Sequence, residues 1–93
     1  MKVKIKTTVE TEKEITFPYY FKLNYNTAGC IYYGIINETK TISINRDEVV
    51  VLSTENMGDN LSHERFIESN AGEFITQFDK AVESLQQLVK NNL

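Results

Sequence analysis

Residues 17–36 read FPYYFKLNYNTAGCIYYGII, and all five tyrosines of the 93-residue chain lie inside them: Tyr19, Tyr20, Tyr25, Tyr32 and Tyr33. Around the start of this stretch, Ile15, Phe17, Tyr19, Phe21 and Leu23 share one parity, with Thr16, Pro18, Tyr20 and Lys22 on the other. A period of two is the mark of a half-buried strand. Pro18 has no N–H to give a ladder, so this strand runs at an edge there, is bulged, or breaks into two pieces. The polar NYNTAG at 24–29 is rich in turn formers. CIYYGII at 30–36 is then apolar on both parities, as a central strand covered on both faces would be. Gly34 within it marks a bulge or a place where something packs closely against the backbone.

Working outward, residues 2–10 (KVKIKTTVE) also alternate, which predicts a strand with lysines on its solvated face and a turn at TEK, 11–13. NETK at 37–40 predicts a hairpin connection into TISIN at 41–45, with Ile42 and Ile44 turned inward. EVVVLS at 48–53 reads as a strand apolar on both sides, and TENMGDN at 54–60 as a loop. LSHERFIES at 61–69 fits neither period and is read as a short strand or extended piece. The end of the chain is plainer. Asn70 with Glu73 three residues on is a helix-start signature. Phe74, Ile75, Phe78, Ala81, Val82, Leu85, Leu88 and Val89 follow at helical spacing, opposite Asp79, Lys80, Glu83, Gln87 and Lys90. This predicts an amphipathic helix over 71–91, roughly 30 Å long.

Strands followed by one helix make an α+β plan: an antiparallel β-meander of four to six strands, in one domain over 1–93, with the C-terminal helix packed on one face. By parity Tyr19 joins the helix-covered core and Tyr20 points away from it with Lys22. One helix covers only one face, yet 30–36 and 48–53 are apolar on both. Either the sheet curls into a half-barrel, or its second face meets a second copy or a protein partner, and the latter is the expectation.

The composition narrows the chemistry. No apolar run approaches the ~20 residues of a membrane helix, and the start lacks the apolar block of a secretory signal, so a cytoplasmic protein is expected. Cys30 is the only cysteine and His63 the only histidine, in separate segments, so neither a disulfide nor a cysteine metal site is expected. His63-Glu64 opens like H-E-x-x-H, but Ile67 stands where the second histidine would be. MGDN at 57–60 lacks the ligands of a calcium loop, and no phosphate-binding or nucleophile-elbow glycine pattern occurs. Asp47 and Glu48 follow Arg46 in a turn, where carboxylates stay solvated. The reading is a non-enzymatic protein with no catalytic residues, no metal and no cofactor. Asn, Lys, Ile, Tyr and Phe number 36 against 10 for Gly, Ala, Arg and Pro, a bias toward AT-rich codons that fits a low-GC bacterium or its phage.

The net charge of −3 divides into +3 over residues 1–46 (seven basic, four acidic) and −6 over 47–93 (three basic, nine acidic). That is not the footprint of a general nucleic-acid binder. Tyrosines and lysines on a sheet nevertheless form stacking surfaces in single-stranded nucleic-acid binders, and tyrosine is equally favoured at protein interfaces. Tyr20, Lys22, Tyr25, Tyr32 and Tyr33 are the candidate partner-binding residues. Tyr32 and Tyr33 point opposite ways, so one of them joins Tyr20.

The run Pro18-Tyr19-Tyr20-Phe21-Lys22, the pair Tyr32-Tyr33, and Glu73-Phe74 through Phe78 and Ala81 resemble short uncharacterised proteins of bacterial prophages and other mobile elements. That resemblance brings no catalytic residues and implies no activity. In architecture alone, GCIYYGII and EFITQFDKAVESL are similar to the PUR-type nucleic-acid-binding repeat, where a curved antiparallel sheet precedes one helix and two units pair. The acidic second half departs from that pattern. The expectation is a binding protein that forms a homodimer or engages a protein partner through the uncovered sheet face. The alternative is a single-stranded nucleic-acid-binding module.

Overall fold

Pro18 does break the first tyrosine strand: the computed structural model has a cis Phe17–Pro18 peptide and a ladder that begins only at Tyr19. The structure describes the backbone of residues 2–5 and 11–93, with side chains from residue 15 onward. Its main sheet has five antiparallel strands in the order β6-β5-β4-β3-β7. These are β3 (Tyr19–Asn24), β4 (Cys30–Ile35), β5 (Lys40–Asn45), β6 (Glu48–Ser53) and β7 (Phe66–Glu68). The first four form a meander, and β7 returns to pair with β3. A separate hairpin joins β1 (Lys2–Ile5) to β2 (Thr11–Glu14), and β1 lies beside α1 (Gly58–Leu61). α2 (Ala71–Asn91) closes the described chain, so the α+β plan with a C-terminal helix on one face holds.

Several local readings change. TEK at 11–13 belongs to β2, paired across to β1, and is not a turn; residues 6–10, which the strand reading also included, lie outside the described residues. Within 54–69, Thr54–Asn56 is a 3-10 turn, α1 follows, and only Phe66–Glu68 is strand. The helix start is as read: the Asn70 side chain accepts the Glu73 N–H at 2.9 Å, satisfying one of the donors that a helix start leaves open.

Register fixes the two faces. Phe21 pairs with Tyr33 and Leu23 with Ile31, so these share one face with Tyr19 and Ile35; Tyr20 opposite Gly34 and Lys22 opposite Tyr32 share the other. The helix lies on the second face, not on the Tyr19 face as parity and apolarity predicted. Phe74 and Ala81 of α2 pack there with Ile44, flanked by Tyr20, Tyr32, Ile42, Val49 and Phe78. The physical reason is at Gly34. A Cβ there would stand 2.8 Å from Phe74 Cζ, so only a strand without a side chain at that position lets the ring sit on the backbone.

The face expected to stay open thus carries the helix, and the Tyr19 face is covered in turn by other parts of the chain. Ile15, Met57 and Leu61 cover Phe21, Leu23, Tyr33 and Ile35 to form the larger core cluster. Thr41 and Thr54, both fully buried, close its margin through a hydroxyl–hydroxyl hydrogen bond of 2.9 Å, and Thr54 Oγ1 also donates to the Asn37 carbonyl. Both hydroxyls are thus satisfied where an unpaired one would be costly. Among the described residues no helix is long and apolar enough to cross a membrane.

Candidate functional site

The predicted binding residues fall into three places. Tyr20, Lys22 and Tyr32 are half-buried on the helix face; Tyr33 is buried on the opposite face; Tyr25 lies beyond the end of β3. Tyr33 stacks on Phe21 with ring centroids 4.7 Å apart and planes within 6°, and burial pushes its phenol above the usual range. Tyr25 packs at 5.1 Å beneath the Arg65 guanidinium and 6.1 Å from His63. Arg65 also donates to the Asn24 carbonyl, and its N–H donates to His63 Nδ1. That cluster fastens the β3–β4 loop to the segment before β7. Tyr25 and Tyr33 therefore do not join the other three.

What the structure does bring together is Tyr20, Lys22 and Tyr32 beneath the first turns of α2. The Tyr20 ring lies 5.1 Å from that of Phe74. Lys22 Nζ sits 5.8 Å from the Tyr32 ring centroid and donates to Glu73 Oε2 at 3.0 Å. Ser69 Oγ donates to the other carboxylate oxygen at 2.6 Å. Burial, then the Cys30 thiol, raises the Tyr32 phenol pKa.

The Lys22–Glu73 contact ties β3 to the start of α2 and gives the fold two pH limbs. The Ser69 hydroxyl and then Lys22 hold the Glu73 carboxyl below its ordinary 4.5. Its contribution is complete above that value and is lost as pH falls through the lowered one. The bond to Glu73 raises the Lys22 ammonium above 10.5, so its contribution is complete below that value and is lost as pH rises past the raised one. Glu73→Gln is expected to flatten the acid limb by lowering stability in the neutral range, where the ionised pair contributes, while leaving the most acidic range little changed. Melting temperature followed from roughly pH 7 to pH 3 checks this; an unaltered acid limb would remove the pair from the helix-docking account.

The remaining polar groups serve the fold. The Cys30 thiol donates to Asn24 Oδ1 at 3.7 Å. A depression at the end of the sheet is lined by Tyr25, Cys30, Asn45, Arg46, Asp47 and Glu48 among others. Among the described residues no buried side-chain nitrogen or oxygen lacks a partner, and no three of His, Cys, Asp and Glu stand together as metal ligands would.

An apolar surface is left open elsewhere. Of the eight apolar helix positions, only Phe74 and Ala81 are buried, while Ile75, Leu85, Leu88 and Val89 are exposed. The helix outruns its seat: it extends about 31 Å, and every residue beyond Val82 is exposed. Ile75, Phe78, Val82, Leu85 and Val89 follow one another at spacings of three, four, three and four residues. This is a seam of the kind helices pair along. It lies about 60° round the helix from Phe74, to one side. Glu73, which reaches Lys22, and Lys80, Ser84 and Gln87, which line a depression with Asp47, occupy the other side. On the same sheet face as the helix, Val51 of β6 is also 63% exposed. Sequence reading took the whole apolar arc as core; spacing alone does not separate seam from seat, since Phe74, Phe78, Ala81, Leu85 and Leu88 repeat in the same way. Comparison with known proteins adds no relative to this geometry: no family model, curated protein or solved structure matches the chain.

Proposed function

We propose that this chain is a non-enzymatic interaction protein that associates with copies of itself or with a protein partner. Its working surface is the apolar flank formed by the α2 seam and the β6 side of the sheet. The observation that carries the reading is the exposure of Ile75, Leu85 and Val89 along one three–four seam, on the sheet face that also carries exposed Val51. Contiguous apolar surface of this kind is characteristic of interfaces. The absence of enzymatic activity is supported by the occupations of the reactive side chains: His63 Nδ1 accepts a backbone N–H and the Cys30 thiol is turned to Asn24.

The nucleic-acid alternative loses support. Tyr20 and Tyr32 lie against α2, and the amine that would meet a phosphate is engaged with Glu73. Stacking bases on that face would require the helix to leave it.

Size-exclusion chromatography with light scattering tests the reading. The expected result is a mass above the 10.7 kDa of one chain that rises with concentration. A single-chain mass throughout a wide concentration range overturns self-association.

A further inference from the structure

β6 is an edge strand of a peculiar kind. Among the described residues it pairs only with β5, and EVVVLS contains no lysine, proline or bulge to discourage a further strand. Native sheets guard such edges. The opposite edge, β7, is only three residues long and ends in Glu68, followed by the turn into α2.

The direction of the β6 peptide groups follows from the ladder. The Asn24 N–H bonds to Arg65 and the Tyr20 carbonyl to Ser69, both on the β7 side, so the alternate residues of β3 bond to β4. Carrying that alternation across the sheet agrees with the Ile36 N–H on the Lys40 carbonyl and the Thr54 N–H on the Thr39 carbonyl. It leaves Val50 and Leu52 bonded inward to Ser43 and Thr41, and aims the N–H and C=O of Val49 and Val51 outward. Val50 and Val51 side chains are 45% and 63% exposed, on opposite faces.

Resting on the self-association reading above, we infer that a second copy of this chain docks on β6, edge to edge and antiparallel, about a two-fold axis perpendicular to the sheet. Such an axis joins two five-stranded sheets into one ladder and places both α2 helices on the same face. The exposed apolar residues of the two helices then stand on one face of the joined sheet, with the helices antiparallel and their macrodipoles opposed. An isologous contact of this kind is the usual way a homodimer closes. Charge favours the same occupant. The only charge in β6 is Glu48 at its start, so the strand offers a charged partner segment nothing to pair with. Antiparallel pairing sends the two Glu48 carboxylates to opposite ends of the joint, whereas a parallel arrangement would set them side by side.

The test uses the full chain in light scattering and in amide hydrogen exchange. Wild type is expected to run at twice the single-chain mass, with the Val49 and Val51 amides protected in the dimer and exchanging freely on dilution. Val51→Pro deletes an outward N–H and spares the ladder to β5, since proline is tolerated at such edge positions. It is expected to raise the dimer dissociation constant at least about tenfold while leaving the circular dichroism of the monomer intact. Val51→Lys places a charge on the edge without touching the backbone and is expected to do the same. Leu85→Asp, on the exposed seam, is expected to weaken the dimer through the helices. A dimer that survives both Val51 variants, or whose Val49 and Val51 amides stay unprotected, overturns edge pairing and leaves self-association standing. A monomeric wild type overturns both.

Discussion

Phe21→Ala is expected to remove about 3–5 kcal/mol of stability, the range for truncating a buried aromatic side chain. Phe21 is fully buried in the middle of β3, and its ring is held on two sides, by Tyr33 at 4.7 Å and by Phe66 at 5.3 Å. Its removal takes away both stacks and opens a hole bordered by β4, β7 and the 54–61 segment, whose backbones are fixed by their own ladders and turns. Collapse into the hole is therefore limited, and the cavity cost adds to the transfer cost. A domain of this size has roughly 5–15 kcal/mol in total, so the variant should melt at least about 12 °C lower. Urea and thermal unfolding by circular dichroism give the number, at matched chain concentration because association stabilises the folded chain. Tyr33→Phe, which keeps the stack and deletes only a hydroxyl, should cost far less. A loss below about 1 kcal/mol for Phe21→Ala would mean that the face opposite α2 is not the main core.

The prominence of Phe21 also shows where sequence and structure part. Parity correctly separated Tyr19 from Tyr20 and Tyr32 from Tyr33, because a strand turns successive side chains to opposite faces whatever packs on them. It could not say which face the helix would take, since Phe17, Phe21 and Leu23 make the Tyr19 parity the more apolar and so the more inviting. That face is filled by Ile15, Met57 and Leu61, contributed by segments too short and irregular to show a period. The same lack of period hid α1, while the 71–91 helix, with its Asn70 cap and long apolar repeat, was legible from end to end. The candidate site moved for a related reason. Apolar residues on a helix show that something will cover them, but not whether it is the chain's own sheet or another molecule. Length decides that question here, because the sheet ends before the helix does.

Gly34→Ala should be destabilising by about 1–3 kcal/mol, the usual cost of forcing an extra carbon into packed space, and the sign is the informative part. A glycine inside a strand ordinarily weakens it, so the same change in a strand with room above it would stabilise, by roughly 0.5–1 kcal/mol. Here the added methyl would stand 2.8 Å from Phe74 Cζ and 3.0 Å from Cε2. The ring has little freedom to yield, because Phe74 is 5% exposed and sits between Tyr20 at 5.1 Å and Phe78 at 6.3 Å. The start of α2 must lift or tilt instead, straining the Lys22–Glu73 bond at its edge and shifting the seam relative to β6. Phe74→Leu in the Gly34→Ala background should recover part of the loss, with a coupling of about 1 kcal/mol between the two sites in a double-mutant cycle. Denaturant unfolding of the two single variants and the double variant measures it. A stabilised Gly34→Ala, or two changes that simply add, would mean that α2 does not rest on β4 at this point.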